Sequence, residues 1–287
     1  MDFIPDPQAA ADWCHEQRRK GGQIGYVPTM GALHAGHDSL VKRSVPENDL
    51  TCCSIFVNPL QFDNPADLEK YPRDLTRDLD VLEHVGCDMV FTGTLASFFP
   101  EAESLDDIPQ VDPLPAIAGL EAVSRPGHLE GVQAIVERLF HTVGKCRAYF
   151  GEKDFQQTLL VKQIAAAHGD ITIVVCPTVR DASGLAMSSR NQRLDSSARQ
   201  LALHLVQALR AADRQWQAGE RNPAAIEVTM ARELRRSGIQ LEYAAVRDPD
   251  HWTADTPRGP LQKARALVAA RIGGVRLIDN MALGESS

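Results

Sequence analysis

Two histidines three residues apart, His34 and His37, lie in the stretch VPTMGALHAGH at residues 27–37. Positions i and i+3 share one face of a helix, so both imidazoles can address one ligand. The backbone N–H groups at a helix start favour an anion. Gly31 and Gly36 leave room for the main chain to approach it closely. Imidazole N–H donors suit phosphate oxygens and the charge that grows on a departing pyrophosphate. A His pair at this spacing is also half of a zinc site, but zinc needs a third protein ligand, and no partner motif accompanies the pair.

Three further groups of residues suit the same chemistry. Met187, Ser188, Ser189 and Arg190, with Asn191 after them and Gly184 before, put hydroxyls beside a guanidinium. Arginine is a permanently charged, forked donor that matches a triphosphate, although Ser-Ser-Arg-Asn alone also reads as a turn before a helix. Gly151, Glu152, Lys153 and Asp154 follow an apolar run and lead toward Gln157. Lys153 is placed to pair with a phosphate, although a solvated charged turn would explain its acidic neighbours equally well. Asn58 and Gln61, in VNPLQF, follow another apolar run, and their neutral amides suit the hydroxyls and carboxylate of a small substrate. Arg125 to His128 precede an amphipathic stretch and read as a lid or a contact with a partner chain.

The elements that must position these residues alternate. Residues 9–20 predict a helix, 23–27 a strand stopped by Pro28, 34–45 a helix and 50–57 a nearly continuous apolar strand of the kind buried on both faces. Helical material over 67–85 and a strand at 88–91 follow. Residues 100–115 read as a surface loop, 131–143 as a helix with a 3.6-residue apolar stripe, 147–150 as a strand, 154–168 as a helix and 171–176 as a strand. Strand–helix alternation predicts an α/β fold, a parallel sheet clothed in helices. In open α/β sheets ligands collect at the carboxyl ends of the strands, where each polar group falls. From about residue 180 the pattern changes. Asp195 predicts the cap of a long helix to about 218, and Asn222-Pro223 the start of another to 237. Strands at 239–246, 265–272 and 275–278 complete a smaller α+β domain with a three-stranded antiparallel sheet. The expected division is 1–179 and 180–287.

The net charge is −8, with 44% apolar and 24% charged residues. Basic residues are interspersed with acids and form no stripe of the kind a nucleic-acid backbone needs, so no nucleic-acid partner is expected. No apolar stretch approaches the roughly 20 residues that span a bilayer. The acidic N-terminus lacks the basic start and apolar core of a signal peptide. Six cysteines without CxxC or metal spacing read as reduced, mostly buried thiols. A cytoplasmic location without membrane contact is the expectation.

The strand–TxGxLHxGH–helix arrangement resembles the signature of HIGH-type nucleotidyltransferases, whose sheet domain is Rossmann-like. More specifically, VPTMGALHAGH, SIFVNPLQF, SRPGH-x-x-GV, FGEKDFQQ, MSSRN and the terminal RLIDN resemble, in order and over about residues 20–281, the pantoate–β-alanine ligase family. That resemblance implies adenylation of (R)-pantoate by ATP, then amide formation with β-alanine. It implies an ATP site of Met30, Gly31, Ala32, Leu33, His34, Ala35, Gly36 and His37, completed by Gly151, Glu152, Lys153, Asp154, Val179, Met187, Ser188, Ser189 and Arg190. His37 is implied as a proton donor, with His34, Lys153 and Arg190 as the other catalytic groups. Gln61 would contact both acids and Gln157 pantoate. Mg2+ accompanying ATP, with Asp78 in an indirect role, and a homodimer with a C-terminal lid domain are implied as well. The alternative within the class is a HIGH-type nucleotidyltransferase acting on a different small substrate.

Overall fold

The structure, a computed structural model, describes residues 1–285 and falls into two compact units. The first comprises Met1–Ile117, Arg125–Glu152 and Gln156–Pro177. Its chain runs through β1 (Asp2–Ile4), α1 (Pro7–Arg19), β2 (Ile24–Thr29), α2 (Ala35–Ser44) and β3 (Leu50–Ile55). It continues through α3 (Pro65–Glu69), α4 (Leu75–His84), β4 (Met89–Thr92) and α5 (Leu95–Phe98). After α6 (Glu121–Ser124), which belongs to the second unit, come α7 (His128–Val143), β5 (Cys146–Gly151), α8 (Phe155–His168) and β6 (Ile171–Cys176).

The six strands are all parallel, in the order β1-β4-β3-β2-β5-β6. From β2 the chain builds outward through β3 and β4, and from β5 it builds the other way to β6. Right-handed crossovers then send the connecting helices to opposite faces. Accordingly α1 packs on α7, while α2 packs near α4. The reversal makes the carboxyl ends of β2 and β5 the switch point of the sheet, the place where such folds hold ligands. One core of this unit gathers Val27, Leu33, Leu40, Val41, Leu82, Val90 and Tyr149, so the residue just before His34 is anchored in it.

Three local differences from expectation have physical causes. Pro28 lies inside β2 rather than ending it: β2 is laddered to β5 only at Gly25 and Tyr26, so the missing N–H falls where no bond to β5 is required. The stretch 67–85 splits into α3 and α4, because Asp74 caps a new helix by accepting from the Arg77 N–H. The three-residue edge strand β1, paired with β4, is absent from the sequence reading because it is too short to carry a periodicity.

The second unit comprises Ala118–Ser124, Lys153–Phe155 and the chain from Thr178 onward. It contains α9 (Ser196–Gln217), α10 (Pro223–Leu234), β7 (Ile239–Arg247), β8 (Arg265–Ile272) and β9 (Val275–Ala282), with the strands antiparallel in the order β7-β8-β9. Asp195 and Asn222 cap the two helices as expected, through the Ala198 and Ala224 N–H groups. Leu205, Leu209, Trp216, Ile226, Met230 and Val268 form its core. The short segment around α6 is held here by Glu121, buried, whose carboxylate takes a two-pronged bond from Arg276 at 2.7 and 2.9 Å and a third from the Tyr243 hydroxyl at 2.6 Å. All six cysteines are free thiols and buried. Among the described residues no helix is long and apolar enough to cross a membrane.

Candidate active site

The turn between β2 and α2 is shaped by left-handed backbone at two successive residues, Gly31 (φ 76°) and Ala32 (φ 51°). A non-glycine residue there costs on the order of 1 kcal/mol or more, and persists only where its surroundings hold it. Asp78, from the first turn of α4 and 2% exposed, does the holding. Its two carboxylate oxygens accept the Ala32 N–H at 2.8 Å and the Leu33 N–H at 2.9 Å. A β-carbon on Gly31 would stand 2.7 Å from Asp78 Oδ2, so glycine is needed for space as well as for φ. The Gly31 N–H reaches Thr29 Oγ1 at 3.2 Å. The amides of Gly31, Ala32 and Leu33 are therefore taken by the protein's own acceptors. Asp78, expected only as an indirect partner of a metal, is engaged with these two amides.

His34 is the N-cap of α2 rather than its first helical residue, with extended backbone (φ −146°, ψ 173°). Its Nδ1 accepts the Gly36 N–H at 3.1 Å, which fixes the tautomer: the ring proton sits on Nε2. His37 follows within the first turn, and the two rings stack at 4.1 Å between centroids with 29° between their planes. The spacing thus brings the pair together, by capping and stacking rather than by two residues of one regular helix.

Gln61 ends a 3-10 turn, Pro59–Gln61, after β3. Its side-chain amide N–H is directed at Met30 Sδ, and its Oε1 accepts from Asn58 Nδ2 at 3.2 Å. Asn58 is 1% exposed; its Nδ2 also donates to the Gly131 carbonyl at 3.0 Å, and its Oδ1 takes the Leu60 N–H. Asn58, expected as a substrate contact, is thus engaged on both amide atoms within the turn that carries Gln61. The backbone of Gln61 is gripped as well: its carbonyl accepts from Arg125 Nη2 at 3.0 Å and from His128 Nδ1 at 2.8 Å. Arg125 is paired with Asp63 at 3.1 Å. Burial raises the Asp63 carboxyl, but the charge and hydrogen bond of Arg125 outweigh it and leave the group below its usual range. Arg125 and His128, read from sequence as lid or partner contacts, are buried and hold this turn.

Gln157 is half-buried in the first turn of α8, Gly151 closes β5, and Glu152 opens a 3-10 turn, Glu152–Asp154, between them. The group around residue 152 is divided: Glu152 falls in the first unit, Lys153 and Asp154 in the second. Lys153 Nζ lies 3.6 Å from Asp154 Oδ1, and the Lys153 carbonyl accepts from Asn280 Nδ2 at 2.8 Å. Val179 and Met187 close a loop through the Met187 N–H to the Val179 carbonyl at 2.9 Å. Beyond it Ser188 caps a 3-10 turn, Ser189–Arg193, accepting the Arg190 N–H. Among the described residues no group of three or more His, Cys, Asp or Glu is arranged to hold a metal ion.

A parallel sheet with its switch point at a histidine-bearing turn defines a Rossmann-like α/β protein of the nucleotide-handling class. Residues 2–282 match the model of the family described as Pantoate-beta-alanine ligase, and the chain belongs to that family. Among its relatives, a pantothenate synthetase of Thermodesulfovibrio yellowstonii is 40% identical over 98% of this chain and 99% of that protein. One of Agrobacterium fabrum is 42% identical over 93% and 90%. The crystal structure of pantothenate synthetase from Thermus thermophilus superposes with a TM-score of 0.88 at 37% identity, covering 98% of this chain and 99% of that one. That of a pantoate-beta-alanine ligase from Francisella tularensis, complexed with beta-gamma ATP and beta-alanine, gives 0.79 at 34% identity over 98% and 97%.

Proposed function

We propose that this chain joins pantoate to β-alanine at the expense of ATP, through a pantoyl adenylate. A pantoate carboxylate oxygen attacks the α-phosphorus, the bond to the bridging oxygen breaks, and pyrophosphate leaves. The β-alanine amine then attacks the acyl carbon, AMP leaves with the bonding electron pair, and the ammonium loses its proton as the amide forms. The observation that carries this reading is the restraint on Gln61. A neutral side-chain amide bonded by Asn58, on a backbone gripped by Arg125 and His128 beside the histidine-bearing turn, suits a substrate carboxylate that must be aimed rather than activated. The family's members of known name support the choice of acids.

In this reading His34 and His37 donate hydrogen bonds to the phosphates and stabilise leaving-group charge. The cap at His34 supports it, since an Nδ1 that accepts the Gly36 N–H leaves the ring proton on Nε2. Lys153 and Arg190 supply positive charge, residues 187–189 and Val179 complete the nucleotide contacts, and Gln157 assists with pantoate. ATP enters as its magnesium complex. With no cluster of protein ligands for the metal among the described residues, phosphates and water are its natural ligands. The working enzyme is a cytoplasmic homodimer; sedimentation at micromolar concentration should give twice the 31.4 kDa chain mass.

The test is AMP formation with ATP, pantoate and β-alanine, each omitted in turn. The reading requires AMP to depend on both acids, and pantoate alone to support ATP–pyrophosphate exchange. AMP released without β-alanine at the full rate would point to another nucleotidyl transfer. His37→Gln separates the two views of that histidine: electrostatic donation predicts a reduced exchange rate whose pH profile keeps its shape. Loss of one limb of a bell-shaped profile would restore acid catalysis.

A further inference from the structure

The pair Asp279-Asn280, near the end of β9, places two adjacent polar side chains in a strand whose Val275 and Leu277 face a core, and the reaction gives the pair no task. Both side chains are buried, at 3% and 4% exposure. Successive residues of a strand point to opposite faces, and these two hold different things. Asp279 receives the Arg180 guanidinium as a fork, Nη1 to Oδ2 at 2.6 Å and Nη2 to Oδ1 at 2.9 Å. Arg180 also donates to the Gly184 carbonyl at 3.2 Å, and its strand-like bridge to Ala186 closes the loop whose next residues are Met187, Ser188, Ser189 and Arg190. Asn280 accepts from Arg265 Nη1 at 2.6 Å and donates to the Lys153 carbonyl at 2.8 Å. Arg265 in turn lies over the Phe155 ring at 4.3 Å, so Lys153 and Phe155 are held from two sides.

Two residues of one strand thus hold the main chain at Lys153 directly and, through Arg180, the loop that leads to Arg190. We infer that Asp279 and Asn280 are positioning residues for the phosphate-handling side chains, Asn280 setting the backbone from which Lys153 projects and Asp279 setting the loop that carries Arg190. The inference rests on the reading that Lys153 and Arg190 meet the triphosphate. Its chemical logic is that phosphoryl chemistry depends on placement of charge more than on its presence. A long, flexible lysine whose main chain is loose supplies charge without direction.

Asn280→Asp tests this in the full-length enzyme. The carboxylate still accepts from Arg265, but it has no N–H for the Lys153 carbonyl and repels it. Asp279→Asn keeps the shape and removes the charge that holds the Arg180 fork. Pantoate-dependent ATP–pyrophosphate exchange should fall about tenfold with a raised KM for ATP, given that a displacement of 1 Å costs on the order of 100-fold. KM for β-alanine should stay within about twofold, since removing a purely phosphate-directed contact leaves binding of the amine untouched. Lys153→Ala is the control. If it lowers exchange strongly while both variants match wild type, the positioning role is wrong and the reading of Lys153 stands. If Lys153→Ala is itself silent, that reading fails and the inference falls with it. An equal rise in every KM, together with a lowered melting temperature, would leave the pair merely structural and overturn the proposal. Should Asn280→Asp not fold, Arg180→Lys, at a partly exposed side chain, replaces the fork with a point charge and must show the same selective loss.

Discussion

Asp78 illustrates how a single carboxylate can set the backbone of the histidine-bearing turn. The Ala32 and Leu33 N–H groups end on its two oxygens, and the charge sits in the first turn of α4, where the helix dipole favours it. Asn at this position keeps the volume but turns an amide NH2 toward one of those N–H groups, leaving a buried donor unsatisfied. That costs about 1–3 kcal/mol. Asp78→Asn should therefore lower the melting temperature by several degrees and depress pantoate-dependent exchange at saturating substrate, because the histidines lose their frame. If exchange were instead recovered by raising magnesium, Asp78 would be acting on the metal. Asp63 makes a different, pH-dependent claim. Its folded-state carboxyl lies below its usual value: burial opposes this, and Arg125 prevails. A depressed carboxyl contributes stability that is fully present above the unfolded value near pH ~3.9 and is lost as pH falls through the lower folded value. The gap in urea midpoint between wild type and Asp63→Asn should be constant from about pH 5 to 8 and close below about pH 4. A gap that does not narrow at all as pH falls below about 4 would show that the Asp63–Arg125 pair is not its source.

At the scale of elements, the turn bearing Gln61 and the helix α7 meet at Gly131. A β-carbon there would overlap the Leu60 carbonyl and crowd the Gln61 N–H, both backbone atoms with no freedom to swing away. Gly131→Ala improves helix propensity by about 1 kcal/mol, yet it must push the Pro59–Gln61 turn outward. The expected result is a variant of nearly unchanged stability with a KM for pantoate raised more than about tenfold, a misplacement effect. Unchanged kinetics would mean that the turn has slack. This contact also marks the limit of what could be read from sequence. The βαβ alternation, the helix caps at Asp195 and Asn222 and the β8–β9 hairpin were legible because they are local. So was the histidine pair, since three residues of spacing decide it. The grip of Arg125 and His128 on Gln61, across 64 and 67 residues, was not, nor was Asp78 on Ala32, across 46. Such partners are fixed by strand order, which no spacing encodes. Asp279-Asn280 had a visible signal, two adjacent polar residues directly after Leu277 and Ile278, but nothing in the sequence said what they hold.

Over the whole molecule, the thiols report how completely the structure must open before its interior is reached. Cys52 and Cys53 are adjacent on β3 and point to opposite sides of the sheet, so each is sealed by a different layer. Burial pushes both well above the usual thiol range, and that of Cys146 up to about 12. Cys53 and Cys87 stand 3.4 Å apart between sulfurs, with the Thr51 and Met89 carbonyls also in reach of Cys87. Cys14 is the exception, drawn downward by its hydrogen bond with Cys52 against the effect of burial, yet it too is 0% exposed. The thiolate is the reactive species, so a raised pKa and a closed surface slow labelling together. Native protein at about pH 8 should give almost no reaction with an aromatic disulfide reagent over minutes, and all six thiols should react in denaturant. Five of the six lie in the sheet unit's strands or the helix beside them, Cys14 in α1 and Cys52, Cys53, Cys146 and Cys176 in strands. Their labelling rates should therefore converge on one value, the opening rate of that unit, as a cooperative core requires. A single fast thiol would be Cys14, and its release would report local opening of α1 while the remaining thiols stayed protected.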